Sequence, residues 1–288
     1  MHRLLSSVSL ALLVHGATGC TQLVDPSRFT FDVDPCPPVE GDCTGGTSLT
    51  FLIVAADTPP VDAERRRDGF DLDGTSEAIC GRPDLGSPAG GSGIDNEVAG
   101  MVELYESSTG VDLREEGRSA NLRGEDLVVF FVDHYDGPND DCVQVTQRRA
   151  RVPTGTTLAD LDGDGDGEID PGLSFDFGTP TMRDPDACVL GGVAHARFGD
   201  VEIALLEGST RASGVRLRMP ISAERIEGAL MGGAVPLDEL LTVVPPALVE
   251  FIRPRADLGA TARDANDCTA ISFALAFEMV PAERGTAF

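Results

Sequence analysis

The chain has 288 residues, and its 48 acidic side chains against 22 basic ones give a net charge of −26. That balance argues against a nucleic-acid partner, whose affinity comes mostly from basic residues neutralising phosphates, and suits a cation-attracting surface. The length allows one large or two modest domains with a real core, while zero Trp, only two Tyr (Tyr105 and Tyr135) and Phe residues mostly at predicted core positions disfavour stacking of sugars.

Residues 1–19 read as an export signal. His2 and Arg3 open it, a mostly apolar run from Leu4 to Val14 follows, and Gly16, Ala17, Thr18 and Gly19 precede Cys20. The apolar run is too short to span a bilayer. Small residues immediately before a cysteine resemble the lipobox of bacterial lipoproteins. The resemblance covers residues 1–20 and implies cleavage before Cys20, acylation of that cysteine, and anchoring to the outer membrane or cell surface. Ala17 departs from it, since the family usually has leucine there. The other reading is ordinary signal-peptide cleavage near Ala17-Thr18-Gly19. Both put the mature chain outside the cytoplasm.

Beyond Cys20 lie six cysteines, Cys36, Cys43, Cys80, Cys142, Cys188 and Cys268. An even number in an exported chain predicts three disulfides, with 15 possible connectivities. Cys36 and Cys43, close together in a proline-rich segment, are the first pair to expect. Residues 20–47 read as a flexible tether, broken by Pro26, Pro35, Pro37 and Pro38.

A globular domain is expected over 48–283. Ser48 to Ala55 is its first strand. The region 62–93 is irregular and rich in Asp and Gly. Its Asp71, Asp73 and, just beyond, Asp95 form a loose candidate for a second cation site, although turn chemistry explains them equally well. Asn96 can cap a helix, and Val98, Met101, Val102 and Tyr105 then fall on one helical face ending by Gly110. Residues 126–133 form an apolar strand, 136–141 a turn, and Cys142 to Thr146 the return. Further strands are expected at 173–177, 188–198, 201–206, 214–221 and 270–279, with short helices starting at Pro236 and Pro246. This pattern predicts a mainly β fold, an antiparallel sandwich or barrel-like, with a few short helices. An α+β fold is the alternative. So is a division into subdomains 48–152 and 173–283 joined by residues 160–172.

That joint carries the clearest chemistry. Asp160, Asp162, Asp164, Asp166, Glu168 and Asp170 alternate with small or apolar residues. Asp162, Asp164 and Asp166 match positions 1, 3 and 5 of a calcium loop, Gly167 the sharp turn at position 6, Glu168 the backbone carbonyl at 7, and Asp170 position 9. The segment resembles the calcium loops of EF-hands, dockerins and thrombospondin type 3 repeats, over about a dozen residues. The resemblance implies Ca²⁺ held as a structural ion. Position 12, normally a bidentate acid, is Leu173, and proline and glycine on both sides leave no room for flanking helices. Asp160 or Asp176 would have to supply the missing acid. The alternative is a solvated acidic linker that binds nothing specifically.

No catalytic constellation stands out. G-x-S-x-G and H-E-x-x-H are absent, and the histidines beyond the signal, His134 and His195, read as structural or surface residues. The sequence therefore points to a non-enzymatic, lipid-anchored envelope protein with a calcium loop. Its partners are the membrane and other envelope proteins, rather than a small-molecule substrate. An exported metal-dependent hydrolase using the acidic cluster is the second reading.

Overall fold

The structure, a computed structural model, describes residues 35–39, 43–62, 64, 66–72, 74, 80, 84–87, 92–125, 127–157, 160–205, 208–244, 246–259 and 268–288. In chain order its elements are β1 (Thr47–Asp57), β2 (Leu85–Gly86), β3 (Ser92–Ile94), α1 (Glu97–Thr109), α2 (Leu113–Leu122), β4 (Val128–Tyr135), β5 (Asp140–Arg151) and β6 (Ser174–Leu190). They continue with β7 (Val193–Leu205), β8 (Gly208–Pro220), β9 (Ile226–Pro236), α3 (Leu237–Val243), α4 (Pro246–Ile252), β10 (Leu258–Gly259), β11 (Cys268–Pro281) and β12 (Glu283–Ala287).

Eight antiparallel strands form one sheet in the order β1-β4-β5-β6-β7-β8-β9-β11, and pairing of β1 with β11 closes it into a barrel. The fold is therefore mainly β, and of the two architectures expected it is the barrel. The two halves of the chain share this sheet, because β5 pairs with β6 across the acidic loop. The loop thus joins neighbouring strands.

Strand alternation decides which side chains fill the barrel. Phe51 and Ile53 of β1, Phe130 and Val132 of β4, and Val143 and Val145 of β5 belong to one buried cluster, with Val215, Leu217, Met231 and Phe273 from the far wall. The intervening residues Leu52, Val54, Val129 and Phe131 face outward, yet they too are buried. Helix α2, Phe175 and the acidic loop's Leu161 and Ile169 cover them. Burying each such large side chain contributes about 1.5–3 kcal/mol. Two apolar anchors thereby fix an otherwise charged loop to the barrel wall. An apolar interior is the reverse of transmembrane barrels, which have polar lumens. Among the described residues no helix is long and apolar enough to cross a membrane.

Several local expectations change. The run 188–198 is two strands, because Gly191 and Gly192 have φ of 58° and 80° and make a two-residue hairpin turn between β6 and β7. Helix α1 starts where expected, but the Asn96 side chain does not cap it. Asn96 instead accepts from the Ala274 N–H at 3.0 Å and donates to the Ala274 carbonyl at 3.2 Å. Ser272 Oγ accepts the Glu97 N–H at 2.9 Å in its place. Helix α2 was not expected. Asp112 caps it, accepting the Glu115 N–H at 3.0 Å.

The expected Cys36–Cys43 bridge is not formed. Cys36 bonds Cys188 on β6, Cys43 bonds Cys142 on β5, and Cys80 bonds Cys268 on β11. The first two bridges hold the segment around residues 36–43 against neighbouring strands, so its described residues are stapled to the barrel. Three disulfides mark a protein of an oxidising, extracytoplasmic compartment.

Candidate metal centre

The acidic loop folds around its own amides. Asp162 Oδ2 accepts the Gly167 N–H at 3.0 Å, Asp164 Oδ1 accepts that of Asp166 at 3.1 Å, and Asp166 Oδ1 accepts that of Glu168 at 2.8 Å. Gly167 has φ of 84°, a left-handed turn that a side chain would strain. The chain then closes on itself twice, through the Asp170 N–H to the Leu161 carbonyl at 2.8 Å and the Gly163 N–H to Asp170 Oδ2, also at 2.8 Å.

This folding gathers one carboxylate oxygen each from Asp162, Asp164 and Asp166 within 4.8 Å of one another. Oxygens around one Ca²⁺ at 2.3–2.6 Å lie at most about 5 Å apart, so the spacing fits a single ion. Asp164 and Asp166 are exposed and Asp162 is half-buried. Asp162 Oδ1 is the telling atom. It is buried and has no hydrogen-bond partner among the described residues. A buried carboxylate oxygen without a donor is costly, and a hard cation at the triad would satisfy it.

The other sequence candidates divide. Glu168 turns its carboxylate away, to Arg225 at 2.6 Å and Arg118 at 3.6 Å, which leaves its backbone carbonyl for the loop. Arg118 and Arg225 also reach Glu278 of β11, at 3.4 and 3.8 Å, so this network ties the loop to α2 and the barrel. Asp160 stands apart from the triad. It accepts both the N–H and the hydroxyl of Thr157 at 2.7 Å, and these bonds lower its pKa. Asp176 accepts the N–H and hydroxyl of Thr286 and pairs with Arg151, which likewise lowers its pKa. Neither supplies the acid missing at Leu173.

Of the loose second set, Asp71 and Asp95 are described, and neither belongs to a gathered group among the described residues. Asp71 Oδ1 accepts the Gly74 N–H at 2.6 Å, a turn contact. Asp95 is buried and accepts the Leu72 N–H at 2.6 Å. Asp73 and Cys20 lie outside the described residues.

Sequence reasoning missed one acid. Asp257 lines a small cavity beside Asp84, Asp95, Asn96 and Glu97. Burial pushes its pKa up to about 7, against the Ser272 hydrogen bonds that oppose the rise. Its Oδ1 accepts the Ser272 N–H at 2.8 Å, and its Oδ2 accepts the Ser272 hydroxyl. Ser272 thus links Asp257 to the first amide of α1. The run Arg-Ala-Asp-Leu gives no hint of this, because the burial comes from a strand 15 residues away.

His134 sits at the end of β4 with φ of 69°, and its Nδ1 lies 3.1 Å from the Gly45 carbonyl. His195 lies within β7, opposite Cys188. Compared with protein-family models, curated proteins and solved structures, the chain finds no significant match in any of the three.

Proposed function

We propose that this is a non-catalytic, lipid-anchored protein of the cell envelope whose acidic loop holds Ca²⁺ as a structural clamp. One observation carries the metal reading: the buried, unpartnered Oδ1 of Asp162 within a triad of crowded carboxylates. Asp162, Asp164 and Asp166 would hold the ion, with the Glu168 carbonyl and Asp170 completing the set. Bound Ca²⁺ would supply positive charge and fixed coordination, not a reacting group. Mg²⁺ fits less well, because it gives up water reluctantly and demands tight octahedral geometry.

Without a bidentate acid at Leu173, affinity belongs with extracellular modules, roughly 10⁻⁴–10⁻³ M. At about 1 mM Ca²⁺ this gives about 0.4–1.4 kcal/mol of stabilisation. The lipid anchor rests on the small residues before Cys20, and the envelope location agrees with the three disulfides. The partners are then the membrane and other envelope proteins.

The two parts have separate tests. Thermal melts with Ca²⁺, Mg²⁺ and a chelator should show a Ca²⁺-dependent rise that is absent in Asp162→Asn. A screen of ester, glycan and peptide substrates with Ca²⁺ present should give no turnover. Metal-dependent turnover would overturn the non-catalytic reading in favour of an exported hydrolase. For the anchor, Cys20→Ser should release the protein from membranes, and an unchanged membrane fraction would refute acylation.

A further inference from the structure

The outer wall of β4, β5 and β6 holds a charge anomaly of opposite sign. The chain has more than two acids per arginine, since all 22 of its basic residues are arginine. Even so, among the described residues Arg148 and Arg183 have no ion-pair partner. They share one face of neighbouring strands. Arg183 of β6 stands opposite Thr146 of β5, Arg148 lies two residues further along, and Thr146 stands opposite Phe131 of β4.

Phe131 is the platform. The guanidinium carbon of Arg284 lies 3.9 Å from its ring centroid and that of Arg148 lies 5.3 Å away, so the two carbons are within about 9 Å of each other. Arg148 is also 5.3 Å from the Phe177 ring and donates to the Gly178 carbonyl at 2.9 Å, while its Nε is buried without a partner. Stacking between two rings fixes the fork before any ligand arrives. Of the three arginines only Arg284 is paired, to Asp133. Burial, then repulsion from Arg284, lowers the pKa of Arg148 against attraction from Asp133, and Arg183 adds to the repulsion.

Like charges held together on a rigid sheet are relieved by a counterion from outside. We propose that Arg148, Arg183 and Arg284 form a binding site for a phosphoryl group. A tetrahedral dianion offers enough acceptor oxygens to meet several guanidinium forks together, whereas one carboxylate is satisfied by a single fork. The group could arrive as a free phosphate or on a lipid headgroup.

Inorganic phosphate titrated into the full-length protein at constant ionic strength, with arginine Nε–H signals followed by NMR, tests the site. The Arg148 and Arg284 signals should shift saturably, acetate should not reproduce the shift, and Arg183→Gln should weaken binding roughly tenfold, as losing one charge-assisted contact does. Arg183 is exposed, so this variant keeps its melting temperature. A second arm pellets the Cys20→Ser protein, which has no acyl chain, with phosphatidylcholine vesicles with and without phosphatidylglycerol. Binding only to the anionic vesicles, lost in Arg183→Gln, assigns the group to a headgroup. A phosphate response without vesicle binding assigns it to a free phosphate. No saturable response in either arm, or one unchanged by Arg183→Gln, overturns the site.

Discussion

Two groups of acids in this chain are handled in opposite ways. In the loop, Asp162, Asp164 and Asp166 crowd together at the surface, and one buried oxygen has no donor. In the cavity beneath α1, Asp95 and Asp257 are buried more deeply, yet each accepts a backbone N–H, from Leu72 and Ser272 respectively. Asp257 also takes the Ser272 hydroxyl. The loop acids accept backbone N–H groups too, so what marks Asp95 and Asp257 as structural is that neither has a buried oxygen left without a donor. A bare buried oxygen is not enough by itself, since Asp200 Oδ1 is also buried without a partner among the described residues; one crowded by two further carboxylates, as at Asp162, would be satisfied by a cation from outside. Crowded carboxylates and an unmet hydrogen bond together set Asp162 apart from Asp95 and Asp257.

The contrast is tested most severely at Asp257. Asp257→Ala leaves the Ser272 N–H and hydroxyl without their acceptor in a buried place, at about 1–3 kcal/mol each. Urea unfolding should therefore show a loss of roughly 2–6 kcal/mol, equal with and without Ca²⁺. A loss confined to Ca²⁺-containing buffer would break the distinction.

The pH dependence comes next. The folded pKa of Asp257, about 7, lies above its ordinary value of 3.8. Between these values the native chain keeps a proton that the unfolded chain has released. Stability from this group is therefore fully present below about pH 4, falls as pH rises, and levels off above about pH 7. The slope is at most about 1.4 kcal/mol per pH unit. Asp257→Asn should remove that slope in chelator-containing buffer, and an unaltered pH profile would contradict the assignment.

Effects at the loop are smaller. Asp162→Asn should abolish the Ca²⁺-dependent stabilisation of about 0.4–1.4 kcal/mol and leave the metal-free melting temperature nearly unchanged. Glu168→Gln breaks a partly exposed ion pair with Arg225. It should cost below about 1 kcal/mol and leave Ca²⁺ affinity within about twofold, because the backbone carbonyl stays. A collapse of affinity would show that the Glu168 carboxylate, and not its carbonyl, belongs to the site.

The loop was legible because its acids are contiguous in sequence and its turn is written as Gly167. The barrel strands were legible where apolar residues run continuously, as in β1, β4 and β11. Strand β9 was not, because Gly228, Gly232 and Gly233 interrupt the pattern. The structure needs glycine at 232, where a Cβ would lie 2.6 Å from the Phe273 carbonyl oxygen and 2.7 Å from the Phe70 ring. Helix α2 buries only Leu113 and Ala120, too few for a visible stripe. The disulfides misled because nearness in sequence is not nearness in space. Sheet register brings Cys142 and Cys188 to the two cysteines of the N-terminal segment, at Cα separations of 5.3 and 5.5 Å. Asp257 was hidden for the same reason, since its environment is built by Ser272 on β11.

Calorimetric titration of Ca²⁺ into the metal-free full-length protein tests the central claim most directly, with Asp162→Asn and Asp257→Asn run alongside. One saturable site of roughly 10⁻⁴–10⁻³ M, lost in Asp162→Asn and kept in Asp257→Asn, is the expected result. No binding up to several times that concentration, or binding that survives Asp162→Asn, would contradict it.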